Sequence, residues 1–252
     1  MLTQTIPLFR ASAKMMLRSR GVIWAVAAGS LQILVFGLMK ELDFGFGAGR
    51  IGFLDFVLPG IAVFLAISQL QDIMVAVAAN YKARGTLKRL AVTPVSPPLV
   101  IAVQILTHVG LGVVVAALVL TVGTLIGGDL AITINLLWLV PLVGLAVLTA
   151  LATAFAVAGL TPNPQSASNV GVTISFLVFA LSGAILPVQA LPGLLPHIVQ
   201  YAVPQTALIQ AVRGIALTGA GITEFGTQVL IGAGWLAVAL VVAALAYRFT
   251  EE

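Results

Sequence analysis

Asp72 is the only carboxylate well inside an apolar run of this 252-residue chain. An ionisable group at bilayer depth is costly and marks an ion site, a transport path or a paired contact. Helix rise puts Asp72 roughly 12 Å from the inner end of its run and His108 roughly 13 Å from the inner end of the next. Gln69 precedes Asp72 by three residues and Gln104 precedes His108 by four, spacings that share a helix face. The two runs are antiparallel and joined by a short link, so the spacing predicts a polar layer of Gln69, Asp72, Gln104 and His108 at one depth. Such a layer touches or hinges a transport path, serves as a proton or ion site, or satisfies itself as a helix contact worth about 0.6 kcal/mol. A second candidate chemistry is nucleophilic: Ser182–Gly183 faintly matches a Ser-Gly nucleophile pair with His108 as base. Depth argues against it. Ser182 falls about 6 Å from the outer end of its run, whereas His108 is nearer the inner side, and the pair must meet within about 2.6–3.2 Å.

Other chemistries are excluded by type. The chain has no cysteine and two histidines, His108 and His197. Disulfides, thiolate metal sites and Cys nucleophiles are therefore absent, and a His-rich metal site is not expected. No G-x-x-x-x-G-K-[ST] phosphate loop is present. The GFGAG run Gly45–Gly49 follows no strand and reads as a flexible connection. No cofactor is expected on this chain.

The elements that must position these residues follow from composition. The chain is 60% hydrophobic and 8% charged, against about 45–50% and 25% in soluble domains. Too few polar side chains exist to cover a water-soluble fold, and disorder is excluded for the same reason. A net charge of +4 is no argument for nucleic acid. The fold class is an all-α integral membrane protein with one transmembrane domain over residues 1–252. A spanning helix needs about 20 apolar residues. Six candidates are Val22–Met39, Leu58–Ala79, Leu99–Ile126, Ile134–Ala158, Asn169–Leu186 and Thr227–Tyr247, the second interrupted by Ser68, Gln69, Gln71 and Asp72. Of the twelve basic residues, nine (Arg10, Lys14, Arg18, Arg20, Lys82, Arg84, Lys88, Arg89, Arg248) fall on one side and Lys40, Arg50 and Arg213 on the other. The positive-inside rule puts both termini in the cytoplasm.

Residues 1–21 carry dispersed charges and no cleavage site, so they do not read as a signal peptide. Leu2, Ile6, Phe9, Ala13 and Met16 on one face, with Arg10, Lys14 and Arg18 on another, read as an interfacial amphipathic helix. Segment 187–226 is too proline-rich to span (Pro187, Pro192, Pro196, Pro204) and too apolar for a free loop. It reads as short re-entrant helices between spans five and six, dipping into the outer leaflet and capping something. Gly21, Ala25 and Gly29, and Gly123 with Gly127, form small-residue stripes that permit close helix packing. Trp24, Tyr81, Tyr247, Phe53, Phe56 and Trp138 read as interface anchors.

The link Asn80–Pro98, NYKARGTLKRLAVTPVSPP, is short, basic and bounded by prolines. Between Lys82 and Val92 it forms two to three helical turns, with Leu87, Leu90 and Ala91 on one side and Lys88 and Arg89 on another. Such a helix docks in a partner's groove or is pinned to anionic lipid, and spacing leaves both open.

Three runs in order resemble the membrane subunit of type-2 ABC exporters, in particular the daunorubicin-resistance-like drug permeases. DFVLPGI (Asp55–Ile61) resembles the family's F-L-x-P-G at the second span. GTLKRL (Gly85–Leu90) with TPVS (Thr93–Ser96) resembles its G-T-L-x-R-L-x-x-T-P-V-S link. SGAILP (Ser182–Pro187), Leu191–Pro192 and Pro204 to Arg213 resemble the run closing the fifth span. The resemblance implies a non-catalytic subunit that exports a drug or lipid by alternating access. Lys82, Arg84, Gly85, Thr86, Leu87, Lys88, Arg89 and Leu90 would contact a cytosolic ABC ATPase, present in two copies and holding ATP and Mg. Ser182, Gly183, Pro187, Pro192, Pro204 and Arg213 would belong to the outer gate. A second permease, identical or homologous, would complete the path in a bacterial plasma membrane. One departure is that Tyr81, Lys82 and Ala83 precede Arg84, where many relatives carry acids, which implies an acidic groove on the ATPase. The rival reading, a secondary transporter or channel with Asp72 as its ion site, leaves the basic link unexplained and finds no inverted repeat.

Overall fold

A computed structural model describes residues 52–83 and 97–246, with helical positions 31, 32, 34, 35, 37 and 38 before them. The described residues form helices and connecting loops, with no strand among them. The expected interfacial helix, most of the first span and link residues Arg84, Gly85, Thr86, Leu87, Lys88, Arg89 and Leu90 lie outside the described residues.

Helix α1, Phe53–Ala83, has 31 residues and is about 46 Å long by helix rise. Asp55 in its first turn complements the positive end of the helix. It runs beyond the expected end at Ala79, so Lys82 lies on its last turn. Helix α2, Pro97–Leu125, starts on two prolines, which the first turn tolerates because its N–H groups have no helical acceptor. Its end is a Schellman motif: Gly128 N–H donates to Gly123 O (2.9 Å) and Gly127 N–H to Thr124 O (3.1 Å), with Gly127 at φ 113°. The two glycines of the G-x-x-x-G stripe thus do different things. Gly123 faces the Leu58 side chain with no room for a Cβ, whereas Gly127 supplies the left-handed turn.

A 3₁₀ turn, Ile134–Trp138, leads into α3, Leu139–Leu160. Helix α4 is Pro164–Leu181, which moves the fifth span N-terminal of the expected Asn169–Leu186. The start signal is Asn163, whose Oδ1 accepts from Ser166 N–H at 2.8 Å, followed by Pro164 at the first helical position. The stop is Gly183 at φ 74°. The proline-rich stretch beyond it forms a 3₁₀ turn Val188–Ala190, helix α5 Leu195–Ala202, helix α6 Pro204–Thr218 and a 3₁₀ turn Ile222–Phe225. Helix α7 is Gly226–Ala246.

Among the described residues, four stretches are long and apolar enough to cross a membrane: Ala102–Leu125, Ile134–Leu160, Pro164–Leu181 and Ile222–Ala246. The chain is a multi-pass membrane protein. Its apolar faces point outward, with Leu230, Val238, Val241 and Leu245 on α7 and Val172, Phe176 and Leu177 on α4 exposed, an arrangement that lipid accepts and water does not. The core gathers on α1 and α3, which pack on each other and share α2 and α6 as neighbours, while α4 packs on α1 and α7 on α3. From Leu54 to Ile67 almost every side chain of α1 is buried. Gly171 on α4 sits against Val75 of α1.

Candidate functional site

The start of α1, the end of α4 and the later turns of α6 meet at Arg213. Helix α6 begins at Pro204, which presets the helical φ, and most of its side chains are buried, including Gln205, Thr206, Leu208, Ile209, Val212 and Ile215. Within the stretch expected as a re-entrant cap, α6 is therefore a core element. Arg213 projects from it into two neighbours. Its Nε donates to Phe56 O at 2.8 Å, and Nη2 donates to Gly183 O at 2.7 Å and Ala184 O at 3.2 Å. Its guanidinium lies 3.8 Å from the centroid of the Phe56 ring, within cation–π range. The partners are backbone carbonyls and an aromatic face.

Each partner is placed by local rules. Ser182 is the C-cap of α4 and Gly183 takes the left-handed φ that ends it, so the carbonyls there belong to the negative end of a helix and favour a cation. Phe56 lies in the first turn of α1, one turn before Pro59, whose missing N–H leaves Asp55 O without its helical donor. Gly60 brings the chains together: a Cβ there would meet Ala184 O at 2.5 Å and Arg213 Nη2 at 2.8 Å. Burial pushes the Arg213 guanidinium down to about 10, still far above neutral pH, so the group stays charged.

Of the expected outer residues, the structure brings Ser182, Gly183 and Arg213 together. Pro187, Pro192 and Pro204 shape the chain around them: Pro187 caps the 3₁₀ turn, Pro192 O accepts from Leu195 N–H at 3.3 Å, and Pro204 opens α6. Among the described residues the buried Ser182 hydroxyl has no hydrogen-bond partner, so the nucleophile–base pair with His108 is not formed. Phe56, read as an interface anchor, is a ligand of the guanidinium. Sequence reasoning did not single out Gly60 or Ala184. A lone glycine inside a helical run, as in DFVLPGI, signals close packing but names no neighbour.

Further ties hold the neighbouring helix ends. Asp129 N–H donates to Asp55 Oδ1 at 2.7 Å. Ala131 N–H donates to Ala216 O at 2.8 Å. Asn135 Nδ2 donates to Gly219 O at 2.7 Å, and Trp235 Nε1 donates to Tyr201 O at 2.7 Å. Beside them, a cavity of about 330 Å³ opens between α2 and α3, lined by residues such as Val113, Ala117, Leu120, Leu136 and Val140. The hydroxyls of its Thr121 and Thr124 donate to carbonyls of their own helix, which leaves an apolar lining.

The expected polar layer is described on one side. Helices α1 and α2 pack together, and Gln69 and Asp72 lie on α1; their side chains are outside the described residues. On α2, His108 is buried and its Nδ1 donates to Gln104 O at 2.7 Å. A carbonyl only accepts, so Nδ1 carries a proton. Among the described residues no cluster of metal-ligating side chains occurs.

Residues 3–217 match the family model of the ABC-2 type transporter. A search of curated proteins returned no match.

Proposed function

The chain belongs to the ABC-2 type transporters, and from that premise we propose that it is the membrane half of an exporter for a hydrophobic or amphipathic substrate, a drug or a lipid. Family membership makes it a transmembrane component of an ABC transporter that works with an ABC ATPase. The observation that carries the reading is the family match across nearly the whole chain, on helices whose outward faces are apolar.

The finer proposal has six spans with both termini in the cytoplasm of a bacterium, an interfacial helix over residues 1–21, and two permeases, identical or homologous, forming the path between them. Two ATPases hold ATP and Mg. They push on the basic link through Lys82, Arg84, Gly85, Thr86, Leu87, Lys88, Arg89 and Leu90. Gln69, Asp72, Gln104 and His108 line or hinge the path at mid-depth. The outer segment 187–226, with Ser182, Gly183 and Arg213 at its root, closes the path from outside. Its prolines and buried α6 support a cap that is packed rather than loose. An apolar path with few charges suits an apolar cargo better than a sugar or an ion. No residue of this chain performs covalent chemistry in this scheme.

Purification from native membrane tests the proposal. An ATPase should accompany the chain, and its ATP turnover should rise with hydrophobic drugs or lipids. Substrate movement by the chain without any ATPase would overturn it.

A further inference from the structure

The cavity between α2 and α3 has the chemistry and the length of one lipid chain. Its α2 wall runs from Val113 to Thr124 and its α3 wall from Leu136 to Val143. Lining positions recur every three or four residues on both helices (113, 117, 120 and 124; 136, 140 and 143), so each wall is one helix face. Ala116 and Ala117 keep the α2 wall low, and the buried side chains of Ala116, Leu139 and Val143 form the floor. By helix rise the α2 wall is about 16 Å long, close to half of the roughly 30 Å hydrocarbon core and hence to one leaflet. It starts near the middle of the Ala102–Leu125 stretch and ends beside the loop that carries Asp129, whose N–H is tied to Asp55.

The mouth opens among residues that face lipid. Ala117, Thr121 and Val140 of the lining are exposed, and so are Val114, Leu118 and Leu137 next to them. The lining has no charged side chain, and the hydroxyls of Thr121 and Thr124 already donate to Ala117 O and Thr121 O. An apolar cavity of about 150 Å³ excludes water and takes up benzene, and this one measures about 330 Å³.

We propose that this cleft is a binding site for one acyl chain of a membrane lipid, held lengthwise with its headgroup level with the α2–α3 loop. Lipid tails are as apolar as the wall, so transfer out of water contributes nothing. The gain is packing: a seated chain touches protein on two sides, and dispersion contacts add up over its length. The site is built from α2 and α3 rather than from the elements that meet at Arg213. It needs only a membrane-embedded chain, so it stands or falls separately from the transport reading.

Photocrosslinking tests the site in the full chain, in nanodiscs of phosphatidylcholine with a trace of the same lipid carrying a diazirine on one acyl chain. Mass spectrometry locates the adducts. A diazirine near the chain end should label Val113 and Val143, and one near the carbonyl should label Thr124 and Leu136. Val238 and Val241, exposed on α7, report ordinary lipid contact and should carry far fewer adducts. Ala117→Phe fills the cleft from α2 and Val140→Phe fills it from α3. Each should cut the cleft adducts at least about tenfold, which corresponds to about 1.4 kcal/mol. Ala237→Phe, exposed on α7, should leave them unchanged. Cleft adducts no denser than those on α7, or undiminished by both fillings, overturn the site. Two further results overturn the lipid assignment. Displacement of the lipid by a hydrophobic drug that raises ATP turnover would make the cleft a cargo site. Disulfide-linked dimers of Ala117→Cys, in a chain without native cysteine, would make it a contact between copies.

Discussion

Gly60→Ala asks the most of the Arg213 junction with the smallest change. The added methyl would lie 2.5 Å from Ala184 O, 2.8 Å from Ala184 Cα and 2.8 Å from Arg213 Nη2. Two of these atoms are backbone and cannot swing aside as a side-chain tip can. Helix α1 and the bend after α4 must part, and the contacts from Arg213 to Gly183 and Ala184 loosen with them. Overpacking costs about 1–3 kcal/mol, and a weakened hydrogen bond from a charged group about 1.5–3 kcal/mol. The gain in helix propensity, about 0.8–1 kcal/mol, offsets only part. The net loss is about 1.5–5 kcal/mol, which lowers the melting temperature by several degrees at about 2–4 °C per kcal/mol. The reference is Gly110→Ala on α2, where nothing lies within 4 Å of the new methyl. That variant should keep its stability or gain up to about 1 kcal/mol. Thermal unfolding of the purified chain in one detergent compares the two. Because the clash falls partly on Arg213, Gly60→Ala combined with Arg213→Gln should lose less than the two singles together. If Gly60→Ala and Gly110→Ala melt alike, the close approach is wrong.

Three further outcomes are expected. Asn163→Ala removes the bond from Ser166 N–H to Oδ1 and should cost about 0.5–2 kcal/mol, seen as faster amide exchange in the first turn of α4; unchanged exchange would show that the cap carries no weight. Asp72→Asn should reduce export per copy of protein far more than membrane abundance, and unimpaired export would remove Asp72 from the path. Lys88→Glu or Arg89→Glu should weaken co-purification with the ATPase by more than half, whereas unaltered assembly would exclude a basic docking surface.

The membrane class, the helices and most of their ends are written in local sequence. Apolar runs of bilayer length set α2, α3, α4 and α7. Where the expected fifth span was misplaced, the information was still local: Asn163–Pro164 starts the helix and Gly183 stops it. Hydropathy alone slid the window toward Leu186, because Ala184–Leu186 is as apolar as the helix itself. The prolines of segment 187–226 likewise foretold broken short helices.

Position along the chain does not say which backbones touch. Arg213 and Phe56 are 157 residues apart, and every residue offers the same carbonyl, so nothing in the sequence marks which oxygen a guanidinium will take. A family-like run drew attention to Ser182, Gly183 and Arg213, but only helix packing puts them on one seam, and only the absence of a side chain at Gly60 lets that seam close. Burial of α6 is decided the same way, since its apolar residues suit a lipid face as well as a core until α1 and α3 enclose them. Periodicity and composition are one-dimensional signals that settle what each segment becomes. Contacts between distant segments depend on shape in three dimensions, and there the folded chain alone decides.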